Sequence, residues 1–425
     1  MRAGPGRPQR TRPGAPARGR PDRPGGPTVT TETAPLALYG PAFAADPHGH
    51  YARLRAQGPL ARVALSPGVE ATLVVDYQTA LDLLRDEHRF TRDPRRWQST
   101  LPADSPILPM LGYRPTALFS DGEVHTRYRR AINDTLAFIQ PHVLQSQVTE
   151  VARQLVARFA ATGTADLIHG YARQLPLHVF NTWFGVQPED SERLVAGMAG
   201  MLESREQAAA AYADLVAVVT DLVADRRAAP RRDLTSYFLR HRADLDNDET
   251  VRQITLTMSA GHEPTTNLIG NALFHLLSSP QAAGSVLGGA TTAREAIDDV
   301  LWSDPPLSSF SAHYPRHDLE FHGHPLRADE PVLVSYAAAN AEAAPGAGER
   351  DVRSGQGAHL AWGAGPHRCP ARQPALLIAM TAVEQLTGQL CDMELAVPGD
   401  ELIWRPGPFH RALTHLPVRF TPLAV

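Results

Sequence analysis

Residues 359–375 read "HLAWGAGPHRCPARQPA", a glycine-punctuated loop that runs into an apolar helix with a cysteine at the junction. The chain holds only two cysteines, Cys369 here and Cys391 in the strand-like "QLCDMEL", so no disulfide framework is expected and a reducing cytoplasm fits. A cysteine at a helix N-terminus feels the positive end of the macrodipole, and His367 and Arg368 beside it would lower its pKa further. The loop therefore predicts a thiolate. A zinc site would need further ligands at close spacing, and no second cysteine lies within four residues. A cysteine hydrolase stays open, although two residues apart on one loop is poor geometry for a Cys369–His367 pair. "GAGPHR" is no dinucleotide fingerprint, because its sixth residue is Arg368 rather than glycine. A buried structural cysteine is open as well.

Around this loop, 425 residues could bury one large core or two ordinary ones, and a hydrophobic fraction of 43% fits a globular protein. No uninterrupted apolar run reaches membrane-spanning length. The first 27 residues carry seven arginines and one aspartate among prolines and glycines, with no hydrophobic stretch of a secretory signal. Such a composition cannot bury a core, so residues 1–36 are expected to be a disordered tail and residues 37–425 a single domain. The net charge is −4, and the basic tail leaves the remainder acidic, so nothing points to nucleic acid. All 41 basic residues are arginine, which no fold requires and which fits the codon bias of a GC-rich genome such as an actinobacterium. The expectation is a cytoplasmic monomer with neither a membrane nor a nucleic-acid partner.

Helical periodicity dominates after the tail. "HGHYARLRAQG" and "DYQTALDLLRDEHRF" read as short amphipathic helices around the strand-like "ARVALSPGVEATLVVD". A proline-rich loop leads to the arginine-rich helix "EVHTRYRRAIND", and long helical stretches cover roughly 141 to 285, broken at "GVQPED" and "AAPRRD". Residues 311–334 alternate like a small sheet with "FHGH" as a tight corner; "AAPGAGERDVRSGQG" reads as coil; a helix from 370 to 390 and hairpin-like strands end the chain. The fold class is mainly α, α+β, with a large helical part and a smaller β-rich part.

The pattern aromatic-Gly-x-Gly-x-His-x-Cys, Trp362 to Cys369, resembles the haem-thiolate loop of the cytochromes P450 of the bacterial, soluble kind. The resemblance extends over nearly the whole chain after about residue 36. It implies the P450 fold and haem b with Cys369 as the axial ligand to iron, a thiolate that pushes electron density onto the metal. Trp362 and Gly363 would lie against the macrocycle, where small residues allow close approach. "GEVHTRYRRAIN" looks like the family's C helix, by which His125 and Arg129, four residues apart on one face, would pair with haem propionates together with His313 and His367. "MSAGHEPTTNLIGNAL" looks like the long central helix across the haem, with Ala260 and Gly261 at the cofactor and Glu263 and Thr265 handling protons.

Five positions depart from the family. The threonine of Ala-Gly-x-(Asp/Glu)-Thr is Pro264, which has no hydroxyl and no N–H for the carbonyl of Ala260, so a kink is expected there. In "AREAIDDVLWSDPP", Asp299 and Trp302 stand where the family has its Glu-x-x-Arg pair, as in a small actinobacterial subfamily known to lack it. His313 replaces a propionate-binding arginine, a weaker and pH-dependent donor, and Ala371 replaces a glycine. The function implied is a haem-thiolate monooxygenase of a small apolar metabolite, using dioxygen and electrons from a ferredoxin and its reductase. Two alternatives stay open: a haem-binding sensor or accessory protein without turnover, and a peroxide-dependent haem enzyme. The substrate pocket is expected between the loop 101–119, residues 254–265 and 307–310, and the turn 408–413.

Overall fold

The computed structural model describes residues 35–187, 205–278, 292–343 and 358–423, together with Met1, Gly4 and some positions between 189 and 197. The expected tail and the coil at 344–357 lie outside the described residues, apart from those two N-terminal positions and Pro35 and Leu36. The helices are α1 (Pro47–Arg55), α2 (Tyr77–Arg85), α3 (Gly122–Leu136), α4 (Pro141–Ala157), α5 (Gln174–Phe184), α6 (Arg205–Ala228), α7 (Asn247–Ser278), α8 (Ala293–Ser303), α9 (Tyr336–Ala343) and α10 (Arg372–Gln389), with several single turns between them. The chain is mainly helical with a smaller sheet region, as its sequence pattern implies.

Strands β1 (Leu36–Ala37), β2 (Leu60–Ser66), β3 (Val69–Val74), β4 (Phe90–Thr91), β6 (Ser309–Pro315) and β9 (Val332–Ser335) form one sheet in the order β1-β2-β3-β9-β6-β4. β2 and β3 are the hairpin expected from "ARVALSPGVEATLVVD", turned at Gly68 with φ +73°. β5 (Thr164–Asp166), β10 (Glu394–Leu395) and β11 (Pro417–Arg419) make a second sheet with β11 in the middle. β7 (Leu319–Phe321) and β8 (His324–Leu326) pair across His322 and Gly323, both at positive φ, the signature of a two-residue hairpin corner.

The helical core follows from the period of the apolar residues. On α4, Leu144, Val148, Ala152, Leu155 and Val156 fall on one stripe, and all are buried against α10 and neighbouring helices. Proline opens this helix, where its missing N–H costs nothing. The expectation of helix from 141 to the break at "GVQPED" fails at 158–173. There the chain turns through Gly163 at φ +72°, adds β5, and makes one wide turn closed by Arg173 N–H donating to Ile168 O at 3.0 Å. Three-residue strands carry too little alternation to show in sequence.

Helix α7 spans 32 residues and continues on both sides of Pro264. Gly261 has a packing reason: a Cβ there would lie 2.9 Å from Phe180 of α5. On α8, Glu295 closes a capping box with Thr292. Asp299 is half-exposed, its carboxylate 3.6 Å from His275. Trp302 is only partly buried, its ring edge-on to His359 at 5.7 Å between centroids. Among the described residues no helix is long and apolar enough to cross a membrane.

Candidate active site

Two glycines in the left-handed region shape the cysteine loop, Gly363 at φ +66° and Gly365 at φ +67°. A Cβ on Gly365 would sit 2.1 Å from the carbonyl oxygen of Leu84, so only glycine lets the loop rest on the end of α2. Backbone donors close the loop: Gly363 N–H to Leu360 O at 2.8 Å and Cys369 N–H to Trp362 O at 2.9 Å. Cys369 lies three residues ahead of Arg372, where α10 begins, rather than at the helix N-terminus. Burial pushes its thiol pKa up, against the pull of the Ala371 N–H and the Arg129 and Arg368 guanidiniums. The lowered pKa read from the loop is therefore corrected: the folded chain alone favours the thiol. A cation bound at the sulfur reverses that preference.

Cys369 lines a cavity of about 330 Å³, within the roughly 300–1,000 Å³ of small-molecule sites. Trp362, Gly363, His367 and Ala371 share its wall with the cysteine, and Ala260, Gly261, Glu263, Pro264 and Thr265 line it from α7. Phe119, Leu256, Leu307 and Phe310 add an apolar surface, joined by His410 of the C-terminal turn.

Arg92, Arg129 and His367 line the cavity, and His125 and His313 pack against them outside its lining. His125 of α3 stacks on His367, ring centroids 4.0 Å apart and planes 29° apart. The Nε2 atoms of both rings are buried without a hydrogen-bond partner. Burial and then Arg129 hold the His125 pKa down at about 4. Burial, followed by Arg92, His125, His313 and Arg129, drives His367 well below its ordinary value. Arg129, one turn along α3, reaches the same cavity, and no acid pairs with it among the described residues. His313 of β6 lies 3.3 Å from Nη1 of Arg92.

Arg92 is a cavity residue that sequence reading missed. It follows β4 directly, is 4% exposed, lines the cavity, and leaves its Nε without a partner. Nothing in "FTRDP" marks it, because its neighbours in space come from β6 and the cysteine loop. The nearby acids are occupied or outside: Asp121 accepts from Thr91 Oγ1 and Arg92 N–H, and Glu87 is exposed. Buried donors crowded here, with Asp121 the nearest carboxylate at 4.0 Å from His367 Nε2, fit a ligand that brings further carboxylates, as haem propionates would.

On the opposite side, Glu263 is buried and ion-paired with Arg405, which stands 142 residues later in the C-terminal segment. Burial would raise the Glu263 pKa, but Arg405, His410 and His262 together hold it below the ordinary carboxylate range. Burial keeps His410 at about 4. Thr265 Oγ1 donates to Gly261 O at 2.7 Å, and His262 turns away to meet Arg173 O at 3.0 Å.

No protein-family model matches the chain. It is similar to the cytochrome P450 monooxygenase PikC of Streptomyces venezuelae, 32% identical over 405 residues that cover 93% of this chain and 96% of that one. It is similar to vitamin D(3) 25-hydroxylase of Pseudonocardia autotrophica, 29% identical with 93% and 98% covered. Among solved structures, CYP154C4 from Streptomyces sp. W2061 superposes with a TM-score of 0.82 at 28% identity, over 91% of this chain and 98% of that one. Full-length likeness in sequence and in structure, around a cysteine loop of this geometry, places the chain in the cytochrome P450 superfamily of haem-thiolate monooxygenases.

Proposed function

We propose that the protein oxidises a small, largely apolar metabolite with dioxygen, using electrons from a ferredoxin and its reductase. One observation carries the reading: Cys369 and α7 line the same cavity, which Arg92, Arg129 and His367 also line, with His125 stacked on His367 and His313 beside Arg92. When bound, the family's haem supplies dioxygen activation, with a cysteine thiolate pushing electron density onto its iron. Cys369 is the ligand, and the five basic residues hold the propionates through charge-assisted hydrogen bonds. Ala260, Gly261 and Gly363 leave room beside the ring. Glu263 and Thr265 hold and move protons, and Arg405 keeps Glu263 ionised, ready to accept one. Phe119, Leu256, Leu307 and Phe310 receive the substrate. Relatives named as hydroxylases of small metabolites support the substrate class.

Pro264 favours a second reading, a peroxide-driven reaction that needs neither ferredoxin nor a proton-relaying threonine. The carbon monoxide difference spectrum of the reduced protein tests the site: wild type is expected to give the thiolate signature, and Cys369→Ala to lose it while Cys391→Ala keeps it. An unchanged spectrum in Cys369→Ala would sink the assignment. Turnover with a ferredoxin pair against turnover with peroxide alone then separates the two readings.

A further inference from the structure

Asp166, His169 and His415 converge on the second sheet, and none of them lines the cysteine cavity. Asp166 ends β5, His169 lies in the wide turn 168–172, and His415 precedes β11. The antiparallel register Pro417↔Asp166 brings His415 to the carboxylate across some 250 residues of chain. One oxygen, Asp166 Oδ2, is 2.8 Å from His169 Nδ1 and 2.7 Å from His415 Nδ1, and the two rings are 4.7 Å apart. The other oxygen, Oδ1, accepts the N–H groups of Ile168 and Leu416, each at 3.0 Å, which fixes the carboxylate's orientation. No arginine pairs with Asp166 among the described residues.

Two imidazoles and one carboxylate are the donor set of open zinc and related transition-metal sites. Ligands about 2.0–2.2 Å from a common ion stand roughly 3.3 Å apart in tetrahedral geometry. Each Oδ2–Nδ1 pair needs to part by only about half an ångström to admit one, and all three ligand atoms lie within 4.8 Å of one another. The backbone N–H groups on Oδ1 supply the outer-sphere support such ligands use. Both imidazoles are well exposed, which leaves the remaining positions to water.

We propose that Asp166 Oδ2, His169 Nδ1 and His415 Nδ1 bind one divalent transition-metal ion of the zinc class. The ion clips β5 and its following turn to the C-terminal segment that carries Arg405 and His410. The test uses the full-length haem-loaded protein, stripped with chelator and then dialysed against Zn²⁺, with bound zinc counted by elemental analysis. Wild type is expected to hold one equivalent more than His169→Ala or His415→Ala. Zinc is also expected to raise the melting temperature of wild type and of neither variant. The haem spectrum reports whether each variant folds; if His415→Ala loses it, His169→Ala, outside the β5–β11 ladder, decides. Equal zinc in wild type and the folded variants, or a wild-type melt indifferent to zinc, overturns the proposal.

Discussion

Arg405 is what lets a carboxylate lie buried at Glu263. Arg405→Ala strands that charge, and breaking a buried pair costs about 3–5 kcal/mol; Arg405 keeps some contact with water, so about 3 kcal/mol is expected in denaturant melts. Glu263→Gln with Arg405→Met should recover most of the loss, because neither charge is then left alone. The pair also sets a pH dependence. The folded Glu263 pKa lies below its ordinary value, so its contribution is complete above the ordinary carboxylate range, about 4.3, and fades as pH falls through the lowered value. Melts of wild type should therefore lose stability on acidification more steeply than melts of Glu263→Gln. Gly365→Ala is expected to remove haem binding, since a methyl at 2.1 Å from Leu84 O displaces the whole loop; a normal haem spectrum in that variant would contradict the geometry. At this scale the sequence singled out Cys369, His125 and Glu263, because a short motif surrounds each; Cys369 and Glu263 line the cavity, and His125 stacks on His367 beside it. Arg92 and Arg405 were invisible, because each acquires its meaning from residues distant in the chain.

Among the elements, α7 carries the most consequential departure. Pro264 leaves the Ala260 carbonyl without its donor, yet the helix continues on both sides. Thr265 commits its hydroxyl proton to Gly261 O and keeps its acceptor lone pairs for a relay. Pro264→Thr restores an N–H and a hydroxyl at the cavity wall. More product per reductant consumed and less released peroxide are expected, with both measured against wild type with one ferredoxin pair. Greater peroxide release in the variant would mean that the proline shapes a groove the chemistry needs. Helix α8 gives a contrast in energetics. Asp299→Ala removes only an exposed contact with His275, worth at most about 1 kcal/mol. Trp302→Ala removes the packing against His359 and should cost more, though less than the roughly 3–5 kcal/mol of a fully buried aromatic. The long helices were legible from their apolar stripes, whereas β5 and the wide turn after it were not, because they are shorter than any period that could announce them.

Across the whole molecule, the element order and the mainly helical class followed from sequence pattern and resemblance, while the sheet order did not. β1-β2-β3-β9-β6-β4 joins strands from opposite ends of the chain, and nothing local in "VLVS" says that it lies between β3 and β6. The site has the same character: its walls come from the loop before α3, from α7, from the stretch after α8 and from the C-terminal turn. Such long-range contacts raise contact order, so folding slower than that of a helical bundle of equal size is expected in refolding kinetics followed by tryptophan emission.

The lateness of Arg405, His410 and β11 has a consequence for the order of events on the ribosome. Glu263 and β5 are synthesised well before the residues that pair with them. Until residues 403–419 have emerged, the nascent chain holds a carboxylate with no counter-charge and a cavity lacking one wall. Capture of the cofactor in its final pocket is therefore post-translational, and ribosome-bound chains halted before residue 403 should not retain haem.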